Sequence, residues 1–534
     1  MSGRRRGSSL ENTTSMYSKM IAMQSNVGLD LKRSHYRRMS ETKAGGGDSP
    51  AFDPLEEPIN SDKATLAQTY FTFFKSYIGI GVLALPHGFL LAGSVLGCIM
   101  ISVASLTSYH CINLLLDARD TVEKQIQQGT VNTNVLPDAI QRSDDDDSGN
   151  FDGAVDGLAD FDGAVDGLAG TAEIEVEAEE RIISYSDIGR AAYGSAGAKV
   201  VDFAIVTAQM GFSTAYLIFI GSNVEAALGT CIGSSSWAVI AAVLVTPLVW
   251  LRSLKKLSFG AILADVAIVF GLIVILIFAL INSGDVANRP PQEPSQAVGS
   301  SPFIFFGTAV FAFEGAGMVL PMKQSMAEPA LFPKVLKNGL IIITVLYVVF
   351  PLVVYVCYGS TTHDMITENL PSGDFVVILV QLGYSVGLYF TYPIMMWPAI
   401  EILECSRFYQ KFQLMIVGKT YDDELVPSMI FRAFLVVLTL VSATTIPQFG
   451  TFVAIIGSVS CSLIAFILPA LFHLKLHPEA SSKDKWIKWG LVGFGALGGA
   501  VSLCIEIADL VQSLGGGSVP DQNYLRCFGN GTMR

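Results

Sequence analysis

The chain has 534 residues, of which 51% are hydrophobic and only 15% are charged, and its mean hydropathy is +0.49. No water-soluble domain of this size would carry so much apolar surface, so the composition excludes the soluble classes and indicates a polytopic membrane protein. The formal net charge of −13 comes largely from one acidic segment, residues 142–180, and says little about the substrate.

Apolar stretches of about 18 or more residues, long enough to cross a bilayer as helices, recur along the chain. We therefore predict an all-α polytopic membrane protein with about eleven transmembrane helices. Lysine and arginine concentrate on one side of the spans, which places the N-terminus in the cytosol and the C-terminus on the luminal or extracellular side. The predicted spans lie near residues 66–92, 94–116, 199–222, 236–251, 258–282, 302–321, 338–358, 375–400, 428–445, 448–472 and 487–513.

This topology divides the chain into four parts. Residues 1–63 are predicted to be a disordered cytosolic tail, and residues 64–515 the transmembrane transporter domain. An acidic disordered cytosolic loop, residues 118–181, is inserted between helices two and three, and residues 516–534 form a short outer-side tail. The loop holds a short tandem copy, which we interpret as a low-complexity duplication, with a partner- or calcium-binding tract as the alternative.

The first apolar span is interrupted by glycines in the sequence KSYIGIGVLALP, residues 75–86. Gly79 and Gly81 let the chain leave helical geometry, and a bilayer tolerates unpaired backbone groups only where they line a protein-enclosed cavity. We expect the free N–H groups of Ile80, Gly81 and Val82 to form a positive helix end that binds a carboxylate. The alternative is a glycine-mediated contact between helices.

A second interruption lies in the sixth span, in GTAVFAFEGAGMVLP, residues 307–321. Here Glu314 stands beside Gly315 and Gly317. An unpaired carboxylate at the bilayer centre costs about 2.5 to 3.5 kcal/mol, so Glu314 should be protonated, paired or hydrated. Glu314 is therefore the first candidate for a proton-coupling group, and a neutral glutamic acid that hydrogen-bonds the unwound first span is the alternative. Matched breaks in two halves indicate the substrate site of an inverted-repeat carrier.

Together the two breaks suit a zwitterion, because freed carbonyls near Phe311 and Phe313, with Ser76 across the cavity, could receive an ammonium group. Tyr216, Phe313 and Tyr392 are predicted to select the substrate side chain. Lys75 is predicted to snorkel or to pair within the bundle, with substrate contact as the alternative, and Asp265 to be interfacial, with a proton relay as the alternative. The predicted substrate-binding residues are Ser76, Ile78, Gly79, Ile80, Gly81, Val82, Tyr216, Phe311, Phe313, Gly315, Gly317 and Tyr392.

The eight cysteines show no CxxC spacing, and we expect no metal site and no cofactor. Cys231, Cys357 and Cys527 fall on the predicted outer side, where oxidation is possible, and their pairing is left open. A membrane enzyme is disfavoured, because no nucleophile–base pairing, phosphate-binding loop or metal-ligand cluster occurs in or beside the spans.

Several motifs in order resemble the amino acid/auxin permease family, most closely its proton-coupled and vacuolar amino acid transporter branches. The motifs are FFGTAVFAFEGAGMVLPM (305–322), KSYIGIGVLALP, LVWLRSLKKLS (248–258), TENLP (367–371) and YFTYPIMMWPAIEI (389–402). The resemblance implies a LeuT-type fold of eleven spans, with helices one to five and six to ten as inverted repeats and helices one and six broken. One departure is Thr72, where mammalian proton-coupled members carry a histidine.

The resemblance also implies amino acid transport, usually driven by protons, in a vacuolar or lysosomal membrane, with the plasma membrane as the alternative. We therefore expect a secondary active carrier that moves small neutral amino acids by alternating access. Its expected partners are the amino acid, a coupling proton and the lipid bilayer, without nucleic acid, while cytosolic partners of the tail or loop are possible. The alternatives are an amino acid sensor that signals through its cytosolic segments, and a sodium-coupled or auxin-type carrier.

Overall fold

The computed structural model describes residues 63–127, 183–229, 232–251, 258–284, 299, 301–417, 425–446 and 448–515. The predicted N-terminal and C-terminal tails lie outside the described residues, apart from the last residue of the former. The same holds for most of the predicted acidic loop. Cys231 and Cys527, two of the three cysteines in the predicted pairing, also lie outside them.

Within these ranges the chain is almost entirely helical. The helices are α1 (Leu66–Tyr77), α2 (Gly81–Ala92), α3 (Ser94–Gln127), α4 (Tyr185–Leu228), α5 (Ser234–Val249), α6 (Ser258–Gly284), α7 (Pro302–Ala312), α8 (Ala316–Ser325), α9 (Phe332–Tyr358), α10 (Phe375–Glu404), α11 (Arg407–Val417), α12 (Leu425–Thr445), α13 (Phe449–Ile456), α14 (Leu468–Leu476) and α15 (Ser482–Gly515). Helices α13 and α14 are joined by two π-helical turns into one continuous span.

Among the described residues, nine helical segments are long and apolar enough to cross a membrane, and the bent pair α1–α2 makes a tenth. The shorter apolar helix α5 lies at the position of the fourth predicted span. Large apolar side chains also cover the outside: Leu106 is 70% exposed and Val243 66% exposed, as expected for surfaces that face lipid. These observations confirm the predicted all-α polytopic fold, with one broken span at the start of each set of five.

The first broken span begins and ends for identifiable reasons. Thr65 and Gln68 form a reciprocal capping box at the start of α1, in which the Gln68 side chain accepts from the Thr65 N–H at 2.8 Å. The helix ends at Ile78, whose φ and ψ of −80° and 85° are not helical. After Gly79 and Ile80 the chain resumes as α2 at an angle of 51° to α1.

The two broken spans are joined at the face on which α1 begins, which we call the inner side because it is the predicted cytosolic face. The Ala64 N–H donates to the Ser325 carbonyl at 2.7 Å, and the Ala327 N–H donates to the Ala64 carbonyl at 2.9 Å. Lys323 on α8 also pairs with Asp120 on α3 at 2.8 Å. The inner ends of both broken spans are therefore held against each other and against α3.

Helix α3 extends farther than the sequence predicts. Residues 118–127, assigned to the acidic loop, continue the helix to Gln127. Charge pairing accounts for the extension, because Arg119 pairs with Glu123 one turn later at 3.1 Å, and Asp120 pairs with Lys323 of α8.

Candidate substrate site between two broken helices

The two breaks lie directly against each other. A Cβ atom added to Gly81 would lie 3.1 Å from Phe311 Cδ1 and 3.2 Å from Ala312 Cα, and one added to Gly315 would lie 2.9 Å from the Tyr77 hydroxyl oxygen. A larger residue at either position would therefore require a neighbour to move. Gly81 and Gly315 are the residues that let the first and second breaks approach each other.

Gly79 and Gly317 have different surroundings. A Cβ atom added to Gly79 would meet nothing within 4 Å, and one added to Gly317 would meet only Glu314 Oε1 at 3.9 Å. Both glycines are half-buried. Each break therefore has one glycine that packs against protein and one that borders open space.

At the first break the backbone leaves helical hydrogen bonding over a short stretch. The Ile78 N–H still donates to the Phe74 carbonyl at 2.8 Å, and the Gly79 N–H turns to the Tyr77 carbonyl at 2.9 Å. Within the described chain, the Ile80 N–H has no backbone acceptor and the Ile78 carbonyl has no backbone donor. The Val82 N–H, predicted to be free, instead donates to the Gly79 carbonyl at 3.3 Å.

The second break shows the same pattern between α7 and α8. Its first turn closes when the Glu314 N–H donates to the Phe311 carbonyl at 3.2 Å, so the Phe311 carbonyl is not the free acceptor that the sequence predicts. For the described residues, the Gly315 N–H has no backbone acceptor and the Phe313 carbonyl has no backbone donor. Each break therefore presents at least one N–H and at least one carbonyl that have no backbone partner among the described residues.

The Glu314 side chain turns back toward the start of α8. Its carboxyl group lies within hydrogen-bonding reach of the Gly317 N–H and is half-buried. A helix N-terminus favours a negative group at this position. The Glu314 side chain therefore interacts with the start of α8, the helix that follows it in the sequence. The predicted alternative, a hydrogen bond from Glu314 to the unwound first span, is not the contact observed.

Tyr77 is a site residue that the sequence analysis missed. Its hydroxyl is buried, has no hydrogen-bond partner among the described residues, and lies beside Gly315 and within electrostatic range of Glu314. The Tyr347 hydroxyl of α9 donates to the Tyr77 carbonyl and so helps to hold the end of α1. Its position immediately before the first break is the sequence signal that could have identified Tyr77.

The two predicted phenylalanines, Phe311 and Phe313, pack against aromatic rings of two different helices. Phe311 packs edge-on against Phe212 with ring centroids 4.9 Å apart, and Phe313 packs against Tyr347 at 5.2 Å. Both phenylalanines are buried and form the wall behind the second break. Ser76, predicted to face the cavity, donates its hydroxyl to the Phe73 carbonyl of α1 at 2.8 Å, so that group is already engaged.

The two predicted tyrosines make contacts with other helices. Tyr392 is fully buried, and its hydroxyl hydrogen-bonds the Thr439 hydroxyl of α12 at 2.6 Å. The Tyr392 hydroxyl is therefore already engaged with α12. Tyr216 of α4 lies within hydrogen-bonding reach of Thr391 and in electrostatic range of Asp265, which places it near an ion pair of α1.

That ion pair joins Lys75 of α1 to Asp265 of α6, with Nζ and Oδ2 3.0 Å apart. Their side chains are 16% and 21% exposed, so both charges are largely withdrawn from solvent. Lys75 therefore pairs within the bundle, which is one of the outcomes predicted for it. The pair lies one turn before the first break and connects the end of α1 to a neighbouring helix.

Removing one partner of this pair should destabilise the protein. Asp265→Asn leaves the Lys75 ammonium without its counter-charge, and breaking a buried pair costs about 3 to 5 kcal/mol, less here because neither group is fully buried. We expect a lower midpoint of thermal unfolding in detergent for Asp265→Asn, and recovery in the double variant Lys75→Met/Asp265→Leu, which removes both charges. An unchanged midpoint in Asp265→Asn would show that the pair does not stabilise the bundle.

Comparison with known proteins identifies the family. The sequence model described as "transmembrane amino acid transporter protein" matches residues 62–132 and 168–508. The chain belongs to this family. The amino acid transporter ANT1 of Arabidopsis thaliana is 31% identical over 430 residues, which cover 79% of this chain and 87% of that protein. The amino acid transporter AVT3C of the same plant is 30% identical, over 81% of this chain and 86% of its own.

Vacuolar amino acid transporter 4 of Saccharomyces cerevisiae is 27% identical, over 80% of this chain and 55% of its own. A solved manganese transporter of Eremococcus coleocola matches at 13% identity and a TM-score of 0.37, over 86% of this chain and 91% of that one, a similarity too low to add to the family assignment. Membership of the amino acid transporter family confirms the resemblance read from the motifs, and confirms that the chain is a multi-pass membrane transporter and not an enzyme.

Proposed function

We propose that this member of the amino acid transporter family is a proton-coupled carrier of small neutral amino acids that works by alternating access. The observation that carries the proposal is the pair of adjoining breaks, each with an unpaired N–H and an unpaired carbonyl, beside the open space at Gly79 and Gly317. Unsatisfied backbone groups inside a membrane protein require a ligand or water, and an amino acid supplies both kinds of partner.

The polarity of the half-helices supports an orientation for the substrate. Helix α2 begins at Gly81, so its positive end and the Ile80 N–H suit the substrate carboxylate. Helix α7 ends at Ala312, so its negative end and the Phe313 carbonyl suit the ammonium group. A zwitterion would thus satisfy both breaks at once.

The walls of the site support a small neutral side chain. Tyr77, Phe311 and Phe313 are all buried at the breaks. Room for a substrate side chain remains chiefly beside Gly79 and Gly317, which carry no side chain. Within residues 76–83 and 311–318, Glu314 is the only carboxylate or ammonium group. Because no second charge is available there to pair with a charged substrate side chain, neutral amino acids fit best.

Glu314 supports coupling to protons. Its carboxyl group is half-buried at the start of α8, beside the Tyr77 hydroxyl, and next to the space assigned to the substrate. A proton on Glu314 would change the charge that faces the substrate and would thereby link proton and amino acid movement. Relatives named as vacuolar amino acid transporters in S. cerevisiae and Schizosaccharomyces pombe support a vacuolar membrane, with the plasma membrane as the alternative.

The test is uptake by vesicles reconstituted with the purified chain, over a panel of labelled amino acids, with and without a pH gradient. We expect accumulation of a small neutral amino acid that requires the pH gradient and persists when sodium is replaced by choline. Absence of flux for every amino acid would reject the carrier. Accumulation driven by a sodium gradient alone would reject proton coupling and retain amino acid transport.

A further inference from the structure

A cluster of metal-ligating side chains lies at the inner side, away from the two breaks. Asp117, in the inner half of α3, meets His473 in the last turn of α14 and His477 just beyond it. Asp117 Oδ2 lies 2.8 Å from His473 Nε2 and 3.7 Å from His477 Nε2, and all three ligand atoms lie within 4.8 Å of one another. We propose that these three residues form a binding site for Zn²⁺ or a similar transition-metal ion that links α3 to α14.

The spacing of the three atoms fits one metal ion. In a tetrahedral site with bonds of about 2.0 to 2.2 Å, neighbouring ligand atoms are separated by about 3.3 to 3.6 Å, which lies between the two distances from Asp117 Oδ2 to the histidine nitrogens. Asp117 is 59% exposed on its side chain, so the ion would reach the site from the inner aqueous phase and keep a water as its fourth ligand. The two imidazole rings are stacked with centroids 4.1 Å apart, so the rings would have to turn for both Nε2 atoms to converge on one ion.

The hydrogen bonds around His477 favour metal binding. Its Nδ1 lies 3.3 Å from the His473 carbonyl, which can only accept, so Nδ1 can donate there when Nε2 binds a metal ion. Nε2 lies 3.7 Å from Asp117 Oδ2 and 3.0 Å from the Thr121 hydroxyl, which itself donates to the Asp117 carbonyl at 2.9 Å. A neutral imidazole whose other nitrogen donates to a carbonyl is the usual arrangement in metal sites.

The ligand set also discriminates between ions. Two imidazole nitrogens and one carboxylate suit Zn²⁺, Co²⁺, Ni²⁺ or Cu²⁺, whereas Mg²⁺ and Ca²⁺ prefer oxygen ligands throughout. We therefore expect selectivity for Zn²⁺ over Mg²⁺ and Ca²⁺.

A metal at this place would join the two repeats. Helix α3 is the second span of the first set of five, and α14 ends the last span of the second set. Alternating access requires one repeat or bundle to move against the other, so a metal that holds the two inner ends together should slow transport. This consequence depends on the proposed transport function, whereas metal binding itself does not.

The test uses full-length protein in detergent, stripped of metal with a chelator and freed of any polyhistidine tag. Zn²⁺ is titrated by calorimetry, and Co²⁺ is used as a spectroscopic probe of tetrahedral coordination. We expect one tetrahedral site in the unaltered chain, and a loss of affinity of about tenfold or more in His477→Gln and in Asp117→Asn. His363→Gln, which changes an exposed histidine outside the cluster, is the matched control and should bind as tightly as the unaltered chain.

Equal Zn²⁺ affinity in His477→Gln, Asp117→Asn and the unaltered chain would overturn the site, and so would an octahedral Co²⁺ spectrum. In reconstituted vesicles, Zn²⁺ should slow amino acid flux through the unaltered chain and leave flux through His477→Gln unchanged. Tight binding without any effect on flux would overturn the link between the repeats. If the unaltered chain shows no flux even without metal, the proposed transport function fails and the binding result stands by itself.

Discussion

Gly79→Val should abolish amino acid flux while the protein remains folded in the membrane. Gly79 borders open space, and an added Cβ atom would meet nothing within 4 Å, so the substitution lacks the clash with Phe311 and Ala312 that a side chain at Gly81 would meet. Those carbons would instead occupy the space next to the Ile80 N–H, where we place the substrate carboxylate. Loss of even 1.4 kcal/mol of binding corresponds to a factor of about ten, and steric exclusion should exceed that. The measurement is uptake per amount of protein in reconstituted vesicles.

The matched control is Gly490→Val. Gly490 of α15 also has nothing within 4 Å of an added Cβ atom, but it lies outside the two broken spans, so this variant should transport normally. Gly81→Val is a poorer test, because its side chain would press on Phe311 and Ala312 and disturb the contact between the breaks. Normal flux through Gly79→Val would show that the substrate does not bind in the space between the breaks.

Glu314→Gln should abolish accumulation driven by a pH gradient and preserve exchange of amino acid across the membrane. The glutamine oxygen can still accept from the Gly317 N–H, so the start of α8 keeps its cap. The amide cannot take up or release a proton in the working pH range, so flux should no longer respond to pH, whereas the unaltered chain should transport fastest from the acidic side. We expect accumulation to fall by a factor of about ten or more, with counterflow retained.

Glu506→Gln is the corresponding control. Glu506 is also buried in a span, at 2% exposure, but it lies on α15 and not at either break. This variant should retain the pH response of the unaltered chain. A full pH response in Glu314→Gln would instead assign proton coupling to another group, such as Asp265 beside Lys75.

The sequence was sufficient to locate the breaks to within about one residue, because glycine near a proline or an acidic residue inside an apolar span has few structural explanations. It also separated helix from loop well, since apolar length is the dominant signal in membrane proteins. By contrast, the sequence analysis placed the end of α3 too early. Its last turns are polar and are held by ion pairs such as Asp120–Lys323, whose two residues are 203 positions apart in the sequence.

Individual side chains of the site were harder to predict. Tyr392 lies in a span beside the cavity-lining helices, but a hydrogen bond to Thr439 turns it toward α12. Tyr77 was not predicted, because its place in the site depends on the approach of Gly315 from the other break. In both cases the direction of a side chain follows from a contact with a distant part of the chain, which local periodicity does not encode.

The sequence by itself determined the class of protein, the all-helical fold, the place of both breaks and the family. These follow from apolar length and from glycines in membrane spans, which are local properties. Only the tertiary structure decided which glycines pack and which border open space, that Lys75 pairs with Asp265, and that Asp117 meets two histidines 356 or more positions away. The physical reason is that each of these depends on how helices from different parts of the chain pack together.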